Sequence, residues 1–150
     1  MKLFHGSSVV VEKPEIITDG NYKDFGYGFY CTKLEKQAKR WAIAKRKAHV
    51  VSTYNYDEKH SLNMMVYDKM NDEWLDFVVD CRREIKHNYD IVEGPMADDT
   101  IWNYVEDFAR EKISRSAFWE LAKFKYPTHQ IVFCNENALK QITFEGSYSL

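Results

Sequence analysis

Short apolar runs at both ends of the chain enclose longer segments whose hydrophobic residues recur at helical spacing. Leu3–Val11, rich in Val and carrying a Phe, predicts an opening strand. A polar loop over Thr18–Asp24 then leads into a second strand, Phe25–Thr32, entered through a glycine turn. Leu34, Ala38, Trp41 and Ala42 share one face of a helix predicted over Lys33–His49, with Thr32 as its N-cap. Val50–Tyr56 and Leu62–Tyr67 read as a strand pair around an Asp57–Ser61 turn. The clearest helix is Asn71–His87, with Met70, Trp74, Phe77, Val78, Cys81 and Ile85 in one stripe.

Tyr89–Val92 predicts a short strand ending at Gly94-Pro95. Ile101, Tyr104, Val105 and Phe108 mark a further helix capped by Asp98 or Asp99. Ser114 caps the next, which runs through Phe124 and stops before Pro127. Gln130–Cys134 is a strand, Asn135–Lys140 a helical turn and Ile142–Gly146 the last strand. Strands at the ends with helices clustered between them predict an α+β fold in a single domain over residues 1–150.

Composition narrows the class. Of 150 residues, 45% are hydrophobic and 29% charged, with six Gly and three Pro, which excludes intrinsic disorder. A net charge of −2 excludes a bulk electrostatic footprint for nucleic acid or anionic membrane. That small number hides a division. Lys33, Lys36, Lys39, Arg40, Lys45, Arg46 and Lys47 face a single acid, Glu35, while acids gather over Asp68–Asp80 and Asp90–Glu111. The basic segment is either a solvated helix face or a dock for an acidic partner or a polynucleotide substrate. The aromatic share of 15% is high; Trp74, Phe77, Trp102, Phe108, Phe118 and Phe124 fall on helical stripes and are expected in the core.

No apolar run approaches the ~18 residues of a membrane helix, and the opening Met-Lys-Leu-Phe-His-Gly lacks a signal-peptide pattern. Cys31, Cys81 and Cys134 are odd in number and far apart, so neither a disulfide framework nor a zinc site is expected. Small buried thiols in a reducing cytoplasm are. His49, His60 and His87 have no partner at metal-ligand spacing. His129 and Cys134 fall on opposite faces of one strand, which disfavours a Cys–His nucleophile. Asp24-Phe25-Gly26 spells the metal-binding tripeptide of protein kinases, but the other kinase motifs are missing. Gly26-x-Gly28 precedes a strand rather than a helix and so fails as a dinucleotide fingerprint.

Three pieces remain: His5-Gly6-Ser7 on the opening strand, Gly28-Phe29-Tyr30-Cys31-Thr32 with Trp41 eleven residues after Tyr30, and the late strand beginning at Gln130. In this order they resemble the ADP-ribosyltransferase superfamily, in its diphtheria-toxin-like and poly(ADP-ribose)-polymerase-like branch with an H-Y-E triad. The resemblance implies a split β-sandwich of two small, mostly antiparallel sheets with surrounding helices. It implies transfer of ADP-ribose from NAD to an acceptor (a protein, a nucleic acid or a small molecule) with release of nicotinamide. His5 would bind a ribose hydroxyl with Ser7 in support, Gly6 the carboxamide, and Tyr30 and Trp41 the two faces of nicotinamide; Gly28 would let the chain turn tightly before Tyr30.

One position departs from the pattern. The family's catalytic glutamate is Gln130 here, which accepts hydrogen bonds but supplies no negative charge. Losing one such electrostatic contact typically costs about 10²–10³ in rate. Glu93, Asp98 or Asp99 is the alternative source of a carboxylate. Binding of NAD or ADP-ribose without turnover is the competing expectation, under which a Gln130→Glu change would supply the missing charge. Thr128 stands where the arginine-modifying branch has a second acid, which disfavours arginine as acceptor.

Overall fold

The computed structural model describes residues 1–18, 24–58, 61–123 and 127–150. Most of the loop expected over Thr18–Asp24, part of the Asp57–Ser61 turn, His60 and Phe124 lie outside them.

The chain runs β1 (Lys2–Ser7), β2 (Phe29–Cys31), α1 (Glu35–Ile43), β3 (Val50–Tyr56), β4 (Met64–Val66), α2 (Asp72–Arg82), β5 (Ile91–Gly94), α3 (Asp99–Ala109), α4 (Arg115–Leu121), β6 (Gln130–Phe133), α5 (Glu136–Leu139) and β7 (Ile142–Ser149). The fold is α+β, with two small sheets. One has the order β1-β3-β7, all antiparallel; the other is β2-β6-β5-β4, antiparallel except for β4 beside β5. Among the described residues the sheets are joined by one backbone bridge, where Phe4 and Thr32 exchange N–H···O bonds of 2.8 and 2.9 Å. Beyond it β1 and β2 part.

Burial follows strand alternation. Leu3, Tyr54, Phe29, Cys31, Ile91, Ile131 and Phe133 form the core between the sheets. Phe4, Ala38, Ala42 and Val51 seat α1 on the outer face of the β1 sheet. Trp74, Leu75, Val78, Ile101, Val105, Phe118 and Val132 join α2, α3 and α4 to the outer face of the β6 sheet. The order of layers is therefore helix, sheet, sheet, helices.

Three expectations are corrected. β3 and β4 do not pair: they belong to different sheets, because the apolar residues of β3 pack between the sheets while β4 finds β5 as its neighbour. The helix expected over Lys33–His49 spans only Glu35–Ile43, its N-cap is Leu34, and Thr32 acts two residues earlier by accepting the Leu34 N–H at 3.0 Å. The α2 stripe stops short of Ile85, which is 54% exposed, since the chain leaves the helix at Arg83 and Glu84 takes a positive φ. Ser114 does cap α4, accepting from Ala117 N.

Candidate functional site

Where β1 and β2 part, a cleft of about 390 Å³ opens. His5, Gly6 and Ser7 of β1 line one wall, and Gly28, Phe29 and Tyr30 line the other. The chain from Val9 to Ile17 forms a rim, pinned by Val11 to Ser52 and Tyr54 of β3 and by Ile17 N to the Gly28 carbonyl. Lys13 and Lys45 bring two exposed ammonium groups to its edge, against one carboxylate, Glu15.

The two walls are joined by a hydrogen bond. His5 Nδ1 lies 2.6 Å from the Tyr30 carbonyl oxygen, which can only accept, so Nδ1 carries the proton. The imidazole also packs on Phe29, with ring centroids 4.4 Å apart. Ser7 Oγ is engaged with Val9, donating to its carbonyl and accepting its N–H, and so shapes the rim.

Both glycines are there for close approach. A Cβ on Gly6 would overlap the Ala38 carbonyl oxygen and stand 2.7 Å from Ala42 N, so glycine lets α1 lie directly on β1. A Cβ on Gly28 would stand 2.7 Å from Phe133 O. The tight turn expected at Gly28 is made by Gly26, with φ of 82°.

Tyr30 pairs with Val132 on β6, and its ring packs against the helix-side core. Its hydroxyl donates to Gly26 O at 2.6 Å and accepts from Phe25 N at 3.1 Å. Burial, with the charge of Asp24 adding to it, holds the phenol well above its ordinary pKa. Gln130 is 3% exposed and outside the cleft lining; its Nε2 donates to Asp24 Oδ2 at 3.2 Å and Pro95 O at 3.4 Å. Trp41, half-buried on α1, is also outside the lining. The structure thus brings His5, Gly6, Ser7, Gly28 and Tyr30 to one cleft and leaves Trp41 and Gln130 off it.

The alternative carboxylates stand elsewhere. Glu93 is bonded to His129 Nε2 at 2.8 Å and to Lys33 at 3.4 Å. Its carboxyl lies below the ordinary range, chiefly through the His129 hydrogen bond. Asp98 is the N-cap residue of α3 without a side-chain cap bond, and the Asp99 side chain lies outside the described part. The carboxylate beside Gln130 is Asp24, which sequence reasoning weighed only as part of a kinase tripeptide. A charged residue heading an otherwise apolar Phe25–Cys31 run was the one signal available. His129 was missed as well. Its Nδ1 accepts the Lys33 N–H at 3.1 Å, which leaves Nε2–H for Glu93.

A larger open groove, about 690 Å³, lies between α2 and the α3–α4 connection; Arg115 on its wall is paired with Asp72 and Asp76. Among the described residues no group of three or more His, Cys, Asp or Glu could hold a metal ion, and no helix is long and apolar enough to cross a membrane. The three thiols are free, and burial pushes those of Cys81 and Cys134 up to about 12.

Fold and site define an α+β domain with a mainly apolar cleft, edged by charged residues, at the split between two sheets. Residues 1–144 match the family described as "Protein of unknown function (DUF3990)", and the chain belongs to that family. No curated protein and no solved structure matches it.

Proposed function

We propose that the protein is an NAD-dependent mono-ADP-ribosyltransferase that uses the cleft between β1 and β2. The observation that carries this reading is the meeting of its two motif pieces: His5-Gly6-Ser7 and Gly28-Phe29-Tyr30 face each other across one cleft, joined by the His5–Tyr30 bond. Breaking the nicotinamide–ribose bond passes through an oxocarbenium-like state, so the site must hold the ring and orient the ribose. His5, whose ring is anchored at the cleft by the Nδ1 contact to Tyr30, is assigned to orient the ribose. Tyr27 and Phe29 line the cleft as aromatic residues, a task expected of Tyr30 and Trp41, whereas the Tyr30 ring is turned to the helix-side core and its carbonyl faces His5. Lys13 and Lys45 offer charge to the diphosphate. The volume falls within the range of small-molecule sites.

A second reading, an NAD- or ADP-ribose-binding module without turnover, is favoured by one observation. Gln130 supplies no charge, and its amide is already engaged by Asp24 and Pro95. The acceptor, or an acidic partner, is assigned to exposed Lys36, Lys45, Arg46 and Lys47 at and beyond α1, where charge reversal should abolish its binding. A cytoplasmic setting belongs to the same reading, supported by three free thiols, two of them buried.

Titration calorimetry with NAD, paired with chromatographic detection of released nicotinamide, tests these readings together. Binding with release, both lost in His5→Ala, is the expected result. Binding without release selects the module. Absence of binding to NAD and to ADP-ribose overturns both.

A further inference from the structure

The Asp24-Phe25-Gly26 tripeptide is where the two catalytic candidates Tyr30 and Gln130 are physically joined. Phe25 N and Gly26 O hold the Tyr30 hydroxyl, while Asp24 Oδ2 holds the Gln130 amide. Tyr30 and Gln130 share a face of the β2-β6-β5-β4 sheet, since Tyr30 pairs with Val132, two residues along β6 from Gln130. Asp24 is itself held on every side. Its Oδ1 accepts from the buried Arg82 at 2.8 Å, and its Oδ2 accepts the Ala97 N–H at 2.7 Å. Arg82 is fixed in turn by Glu106, by the Trp102 carbonyl and by stacking 3.6 Å from the Trp102 ring centroid.

We propose that Asp24 is a positioning residue of this site, fixing the Gln130 amide and making glutamine rather than glutamate the residue that fits at position 130. The argument rests on hydrogen-bond inventory. Both groups around Gln130 Nε2, a carboxylate and a carbonyl, are acceptors only, so the amide has one orientation and Oε1 is its acceptor atom. A glutamate there would place a second carboxylate about where Nε2 now stands, 3.2 Å from Asp24 Oδ2 and 3.4 Å from Pro95 O. Like charges at that separation in a buried site raise each other's pKa, and one of the two is forced to protonate or move. Arg82, the cation in contact with Asp24, is already shared between Asp24 and Glu106. The negative charge that the resemblance assigns to position 130 stands here on Asp24, in contact with the Gln130 amide.

This inference rests on the proposed function for its meaning in catalysis, but its structural content is testable without activity. Four variants are compared with the wild type by thermal unfolding: Gln130→Glu, Gln130→Met, Asp24→Asn and the Asp24→Asn/Gln130→Glu double. The expected result is that Gln130→Glu lowers Tm more than Gln130→Met, although glutamate is closer in shape to the residue replaced. Asp24→Asn should then restore part of that loss, because an amide donor faces the new carboxylate. If Gln130→Glu is as stable as Gln130→Met or more so, the proposal is overturned, whether or not the Asp24 variants fold.

Nicotinamide release gives the second readout. Gln130→Glu alone should lower kcat by about 10²-fold, the scale of a small misplacement transmitted to the cleft from a residue outside its lining, with KM for NAD nearly unchanged. The double variant should regain most of it. A Gln130→Glu protein more active than wild type contradicts the proposal directly. A wild type that neither binds NAD nor releases nicotinamide removes the proposed function, and the unfolding comparison still decides the role of Asp24.

Discussion

At the scale of residues, the site depends on atoms that are missing as much as on those present. Gly6 was expected to matter for contact with a ligand. The structure gives it a second task, because α1 occupies the place of its Cβ. Gly6→Ala should force α1 off β1 at a cost of about 1–3 kcal/mol, the usual range for overpacking, measured as a shift of the urea midpoint at unchanged m-value. Glu93 carries a pH prediction. Its folded pKa is depressed, mainly by the His129 bond and then by Lys33, so its stabilisation is present above the unfolded pKa and lost as pH falls through the folded value. The advantage of wild type over Glu93→Gln should be full above about pH 5 and shrink below about pH 4. A constant difference across that window would refute the assignment. Of the residues involved, His5 and Tyr30 were legible because they sit in short motifs. Glu93 was named only as a candidate carboxylate, and its bond to His129 and the role of Asp24 were not legible, since each acts on a partner 36 or more residues away.

At the scale of elements, α1 shows how a helix is placed by contacts that its own pattern does not announce. Its apolar face is thin, with Ala38 and Ala42 as its buried hydrophobic residues. Gln37 completes the attachment: buried at 2% exposure, it donates to the His129 carbonyl and accepts the His129 N–H at 3.0 Å, as a neighbouring strand would. Gln37→Ala leaves two buried backbone groups unpaired and should cost on the order of 2–4 kcal/mol in chemical unfolding. A loss below about 0.5 kcal/mol, the ordinary surface range, would mean that water replaces both bonds. The helix was predicted too long because basic residues continue past Ile43 with no local stop signal, while its last buried residue is Ala42 and Ile43 is exposed. α2 and α4 were read more closely, their starts being set by side chains, Asn71 and Ser114, that accept from the third residue on.

At the scale of the whole molecule, the near-neutral net charge resolves into two outer faces. The basic helix α1 covers the β1 sheet, and the acidic α2 and α3 cover the β6 sheet on the far side. Lys13 and Lys45 lie at the cleft and form no ion pair among the described residues. If they serve a diphosphate, the Lys13→Ala/Lys45→Ala protein should bind NAD about tenfold or more weakly while its affinity for nicotinamide is unchanged, and the wild-type affinity should fall with added salt. Equal losses for both ligands would point to a distorted cleft instead.

The sequence by itself determined the strands, the helix types and the α+β class, because these depend on local periodicity, capping and turn chemistry that neighbouring residues carry. It also singled out five of the residues that meet at the cleft. Only the tertiary structure decided which strands are neighbours, that β3 and β4 part company, that Trp41 and Gln130 stay off the cleft lining, and that Asp24 holds Gln130. Those are choices among long-range pairings. A strand's alternation says which face is buried but not against which partner, and a buried carboxylate is recognised by the donors that surround it, which the fold alone brings together.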